Sequence, residues 1–180
     1  MSETHVRAVQ GRVTTRRERE AAVMHWLLSA AKEERTARQQ WAEHGIALLS
    51  CGGIFSAVRI PGDLVRAAAG ATRTEEVNAY LRQALNGGPV FVDTYSNLYY
   101  ALVPSSTARC WNVRDLPGVE CLGRDHYLGV PATDRTEPGG RSYWCVPMDS
   151  PGALCEPAAV VELVNNGQRR REAEEAGLWA

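Results

Sequence analysis

Asp93, Glu120 and His126 are the side chains whose types best suit hydrolytic chemistry here: two carboxylates as hard oxygen donors and an imidazole that titrates near neutral pH. Gathered in one pocket they would hold a single Mg or Mn ion and activate a water, but such chemistry needs convergent geometry that spacing does not supply. A plainer reading competes at each position. Asp93 closes an apolar run ahead of Thr94-Tyr95-Ser96-Asn97, where aspartate favours a turn by bonding backbone amides, and Arg124-Asp125-His126 has the composition of a tight turn. Arg109, Arg114, Arg124, Arg135 and Arg141, with Tyr95, Tyr99, Tyr127 and Tyr143, would supply phosphate contacts and stacking faces for a nucleotide or nucleic acid. Against that, strand aromatics commonly just pack a sheet, and loop arginines commonly sit in water. No P-loop, GxGxxG after a strand, GxSxG or HExxH occurs.

The five cysteines are odd in number and lack CxxC or Cys/His ligand spacing, which argues against zinc. Cys121 and Cys145 fall in strand patterns, as small apolar residues. Cys51 sits in a turn and is the candidate reactive thiol, but no activating base is near it in sequence, so an inert thiol is expected. Net charge is −1 with 44% apolar and 23% charged residues, an ordinary globular balance with no broad basic field. Lys32 is the single lysine. No export signal and no membrane-length apolar run is seen, so reduced thiols, a cytoplasmic setting and no membrane partner are expected.

The elements that must position these groups read as follows. Residues 1–15 lack periodicity and are expected to fray, and residues 168–180 form a charged tail; residues 16–167 make one domain. Spacing of Val23, Leu27, Ala30, Ala31, Ala37 and Trp41 predicts one amphipathic helix over 16–44, ended by Gly45. That helix packs on its own sheet or, alternatively, recruits a protein partner. Ile46–Ser50 and Ile54–Ile60 flank Cys51-Gly52-Gly53 and predict a hairpin. Short helices follow over 63–69 and from Thr72 or Thr74 to Gly87, the second favoured by Glu75 and Glu76 in its first turn. Pro89–Asp93 and Leu98–Val103 predict a second hairpin, and residues 104–117 a loop plugged to the core by Cys110-Trp111. Three short strands follow within 116–147, then a helix from Pro157 to Val164 stopped by Asn165-Asn166-Gly167, beyond which the tail could extend as an exposed helix. Strands adjacent in sequence with helices grouped between them indicate an α+β fold with a mainly antiparallel sheet.

Several segments in this order carry a resemblance. Asn97-Leu98-Tyr99-Tyr100, Gly118-Val119-Glu120-Cys121-Leu122-Gly123, Tyr127-Leu128-Gly129-Val130-Pro131-Ala132-Thr133 and Gly139-Gly140-Arg141-Ser142-Tyr143-Trp144 follow one another as motifs do in the N-terminal primase-polymerase domain of bifunctional replication proteins. Over about residues 89–147 the chain thus resembles this branch of the archaeo-eukaryotic primase superfamily, and the His44–Leu48 run looks like the opening of that domain. The resemblance implies a palm-like sheet, with the last three strands beside the 89–103 pair, and a DNA-replication setting.

The departures matter as much. The family's polymerases hold two divalent metals with an acidic pair on a central strand and a later aspartate; here Ile54–Arg59 carries no carboxylate, and only Glu120 stands at the later position. Asn97 replaces a histidine that in the family contacts the nucleotide phosphate, and Leu122 replaces an arginine. The resemblance therefore implies a degenerate palm that holds no metal and binds a nucleotide, nucleic acid or protein partner in a regulatory or accessory role. Asn97, Tyr99, Glu120, Arg124, His126 and Arg141 would be the ligand-binding residues. The alternatives are an active primase-polymerase or a metal-dependent hydrolase using Asp93, Glu120 and His126 with Mg or Mn, and an interaction protein working through the 16–44 helix.

Overall fold

Alternation of apolar side chains on short strands, interrupted by two helical stretches, builds a sheet that must be covered on both faces. The computed structural model describes residues 15–112 and 116–178. In chain order it contains α1 (Arg16–Leu28), α2 (Glu34–His44), β1 (Ile46–Ser50), β2 (Ser56–Pro61), α3 (Gly62–Ala69), α4 (Thr74–Ala84), β3 (Val90–Asp93), β4 (Leu98–Val103), α5 (Thr107–Cys110), β5 (Glu120–Leu122), β6 (Tyr127–Pro131), β7 (Ser142–Val146) and α6 (Pro157–Leu178). Residues 1–14, Arg114 and residues 179–180 lie outside the described residues.

Five strands form one sheet in the order β5-β2-β4-β3-β7, every pair antiparallel, and β1 and β6 form a separate two-stranded ribbon. The fold is α+β with mainly antiparallel pairing. Each sheet face owns a core. Val58, Ile60, Tyr99, Ala101 and Tyr143 face α3, α4 and α6; Ala57, Phe91, Leu102 and Trp144 face α1, α2 and the inner side of the ribbon. The split follows strand periodicity, since successive side chains alternate faces.

The 89–103 hairpin forms as its pattern predicts, with Asp93 opposite Leu98. The 46–60 hairpin does not. β1 pairs with β6, from Ile46 opposite Pro131 to Ser50 opposite Tyr127, while β2 lies between β4 and β5. The glycine turn is present, but it carries the chain from ribbon to sheet. The three late strands likewise separate. Only β7 joins the 89–103 pair, beside β3; β5 lies on the far edge and β6 in the ribbon.

The single helix expected over 16–44 is two helices. The Ser29 hydroxyl donates to the Trp26 carbonyl at 2.6 Å, and the Ala30 carbonyl accepts from both the amide and the hydroxyl of Ser50 at 2.9 and 2.6 Å. A carbonyl committed to β1 cannot continue a helical ladder. The expected apolar residues do point inward: Val23, Leu27, Ala37 and Trp41 are buried in the protein's own core. Trp41 Nε1–H donates to the Val130 carbonyl at 2.9 Å, tying α2 to the ribbon. Gly45 ends α2 in the left-handed conformation, with φ of 71°.

Three smaller expectations also change. Arg73, rather than Thr72 or Thr74, holds the N-cap position of α4 and gives no side-chain cap. The loop after β4 contains α5, and Cys110 is exposed while Trp111 packs against the core. The last helix runs through Asn165-Asn166-Gly167 to Leu178. Gly167 is buried, and a Cβ there would collide with the Leu64 carbonyl oxygen. The glycine serves close approach of α6 to α3, not helix termination.

No helix among the described residues is long and apolar enough to cross a membrane.

Helix propensity alone makes Gly167→Ala stabilising by about 1 kcal/mol. Overpacking against α3 costs roughly 1–3 kcal/mol and should win. Urea unfolding of Gly167→Ala should show a lowered midpoint; a raised one would mean that α6 has room to spare.

Candidate functional site

Strand register places one residue from each strand of the sheet in a single row on the ribbon side. Glu120 lies opposite Arg59, Arg59 opposite Tyr100, Tyr100 opposite Phe91, and Phe91 opposite Trp144. The row grades from buried to wet. Trp144 is buried and donates its indole N–H to the Pro131 and Ala132 carbonyls, each at 3.2 Å. Phe91 meets Trp144 edge-on at 5.3 Å between ring centroids and stacks on Tyr100 at 5.0 Å. At the open end Arg59 Nη2 and Glu120 Oε2 form an ion pair at 2.9 Å.

Asp93, Ser142 and Arg141 lie one step along the strands from this row. The Asp93 Oδ1 atom accepts from the Tyr95 amide at 3.0 Å and lies 3.4 Å from the Ser96 amide, the turn role that its position suggests. The other oxygen is 3.8 Å from Arg141 Nη2, and that guanidinium also lies over the exposed Tyr95 ring, 5.8 Å from its centroid. Together with His44, Ile46, Tyr100, Leu128 and Gly129, these residues line a cleft of about 580 Å³ between the sheet and the ribbon. Burial pushes the Tyr100 phenol pKa above its ordinary value, Asp93 pushes it further, and Arg59 opposes both. Tyr100 thus feels both Asp93 in the cleft and Arg59 next along the row.

The six expected ligand-binding residues do not share one surface. Arg141 lines the cleft, and Glu120 stands at the end of the row. Tyr99 points to the opposite face, buried in the helix-side core, where burial lifts its phenol to about 12, with Cys145 adding and Arg66 opposing. Asn97 is a bracket. Its carbonyl accepts from the Gly62 amide at 2.8 Å, its Oδ1 accepts from Arg66 at 3.0 Å, and its Nδ2 donates to Asp63 at 3.3 Å. Held at a φ of 54°, Asn97 locks the β3–β4 turn onto α3. Arg124 and His126 are exposed in the link from β5 to β6, where the His126 carbonyl accepts from Cys51 and its Nδ1 lies 3.3 Å from the Arg124 carbonyl.

Asp93, Glu120 and His126 likewise stay apart. β3 and β5 are three strand spacings from each other, about 14 Å, whereas ligands of one ion must converge on it at about 2–2.6 Å. Among the described residues no three His, Cys, Asp or Glu side chains gather closely enough to hold a metal ion. Cys51 is buried, and burial raises its thiol to about 11, so it is a poor nucleophile near neutral pH.

Tyr100 in the cleft and Arg59 beside it in the row are the residues not expected to belong to a site. A usable signal existed: an arginine between the apolar Val58 and Ile60 of a strand needs a partner or an opening to water. No protein-family model, curated protein or solved structure matches the chain.

Burial also lifts the Cys121, Cys145 and Cys155 thiols to about 12. A raised folded pKa contributes stability that is complete below the unfolded value, about 8.5 for cysteine and about 10 for tyrosine, and is lost as pH rises through the folded value. The urea midpoint should therefore fall as pH climbs from about 8.5 toward 12. Tyr99→Phe should flatten the upper part of that fall, above about pH 10. An unchanged profile in that variant would place the Tyr99 phenol in water.

Proposed function

We propose that this protein is a non-catalytic relative of the primase-polymerase palm that binds a phosphate-bearing ligand, a nucleotide or the end of a nucleic-acid strand. Binding would occur in the cleft between sheet and ribbon and serve a regulatory or accessory role in the cytoplasm. The supporting observation is the Arg59–Glu120 pair. The one acid at a position where the resemblance expects a metal ligand is neutralised by an arginine from the neighbouring strand. A carboxylate already paired with a guanidinium is a poorer first ligand for a hard cation. The cleft offers Arg141 as a phosphate donor, loosely held at 3.8 Å from Asp93, and the Tyr100 ring as a stacking surface, with the exposed Tyr95 ring against Arg141 beside it.

Binding proceeds by exchange on this reading. A phosphate oxygen draws Arg141 from Asp93 and forms a charge-assisted hydrogen bond. Tyr100, kept neutral through the physiological range, donates its phenol proton. The apolar side of α1 and α2 is spent on the protein's own core, which leaves the cleft as the better-supported contact surface.

Fluorescence anisotropy with a labelled single-stranded oligonucleotide and with a labelled nucleoside triphosphate tests this directly. Arg141→Ala should weaken binding by about tenfold and reduce its salt dependence, while Arg124→Ala, remote from the cleft, should have little effect. Primer extension with manganese is the counter-test. Product that disappears in Glu120→Ala would establish an enzyme and overturn the proposal, as would the absence of binding to either probe.

A further inference from the structure

We infer that Arg135 is a second phosphate-binding side chain at the cleft, and that the ligand carries consecutive phosphates, as a nucleoside di- or triphosphate does. This holds only if the cleft binds phosphate as proposed above, and it narrows the ligand from any phosphate-bearing group to one chemical class.

Two glycines make room for the Arg135 guanidinium. Gly45 lies between His44 and Ile46, which both line the cleft, and a Cβ on it would come 2.5 Å from Nη2, 2.6 Å from Cζ and 2.8 Å from Nε of Arg135. Gly140 precedes the cleft-lining Arg141, and a Cβ on it would lie 3.7 Å from Nη1 of the same group. The guanidinium therefore reaches from the ribbon-side wall to the loop that carries Arg141, at the rim and just outside the lining residues. Its base is pinned. The Arg135 carbonyl accepts from the amide of buried Trp144 at 2.7 Å, and its own amide donates to the Ala132 carbonyl at 3.0 Å.

The Arg135 charge is uncommitted. Among the described residues it forms no ion pair, while Glu43 lies 3.7 Å from His44 and Asp93 lies 3.8 Å from Arg141. The negative end of the α2 dipole, at Gly45, attracts the guanidinium but takes none of its donors in a hydrogen bond. Two exposed guanidinium groups thus serve one rim, Arg141 inside the cleft and Arg135 beyond it. With a base stacked on Tyr100, the phosphate next to the sugar meets Arg141, and later phosphates extend toward Arg135. A single phosphate satisfies the first fork and leaves the second in water; a chain of phosphates engages both.

Displacement of a labelled nucleoside triphosphate from the full-length protein, read by anisotropy without divalent cations, is the test. The competitors are the unlabelled tri-, di- and monophosphate of one nucleoside. The triphosphate should compete about tenfold better than the monophosphate, with the diphosphate between them. Arg135→Gln should weaken the triphosphate about tenfold and the monophosphate about twofold at most, whereas Arg141→Ala should weaken all three. Arg135→Lys, which keeps the charge and loses the fork, should retain part of the preference. Because the Arg135 side chain is exposed and its backbone bonds survive substitution, the urea midpoint of Arg135→Gln should match that of the parent. A triphosphate that competes no better than the monophosphate would overturn this inference alone, as would an unchanged preference in Arg135→Gln. Absence of binding by the labelled probe would sink the cleft reading, and this inference with it.

Discussion

The cross-strand row Glu120–Arg59–Tyr100–Phe91–Trp144 is the constraint on which the rest of this structure depends. A one-residue slip in any pairing would turn part of that row to the opposite face and bury a charge among the helices. The aromatic end fixes the register. Trp144 is held by the Pro131 and Ala132 carbonyls, Phe91 is wedged between two rings, and their contacts are closed to water. With that end fixed, the pleat delivers Arg59 and Glu120 together at the other, where an ion pair half open to solvent adds little stability but sets the local charge.

The ribbon turns this row into a cleft. β1 and β6 do not join the sheet, so they rest on its buried half through Ala47, Leu49, Leu128 and Val130 and leave the charged half uncovered. Their own edge is protected. The amide of Leu48 on β1 donates to Gln40 Oε1 at 2.9 Å, and that of Ser50 donates to the Ala30 carbonyl at 2.9 Å, so the α1–α2 corner serves as a third strand would. On the other face, Asn97 and Gly167 set how closely α3 can approach the hairpin and α6. Each exposed feature of the cleft thus rests on a buried contact elsewhere.

What could be read from residue order alone follows from the range of the interactions involved. The 89–103 hairpin, the α3 and α4 segments and the left-handed glycine after His44 are local, written in turn residues and capping chemistry within a few positions of the element. The partner of β1 lies some eighty residues away, and its choice depends on Leu49 and Val130 meeting the same core, which no short-range pattern encodes. Gly167 carried the composition of a stop signal but is used for contact, because tertiary packing outweighs a propensity difference of about 1 kcal/mol. Tyr99 and Tyr100 show the sharpest limit. Adjacent on one strand, they face different cores, and choosing between them required the register of three other strands.

Charge arithmetic along this face of the sheet shows how ion pairing bears on what could bind there. Two carboxylates side by side repel, and a divalent cation relieves that repulsion; this is the force that makes a two-metal site bind. Here each carboxylate already faces a guanidinium, Glu120 with Arg59 at 2.9 Å and Asp93 with Arg141 at 3.8 Å, so the local sum is near zero. A cation arriving there is opposed by the arginine beside each carboxylate. A phosphate arriving at the looser pair needs only to draw an exposed arginine a short way from a carboxylate that two backbone amides continue to satisfy. On the proposed reading, the asymmetry between a tight pair at the sheet's far edge and a loose one at the cleft mouth would favour an anion over a cation. At the looser pair it would also limit affinity to what one surface arginine and a partly buried phenol can supply.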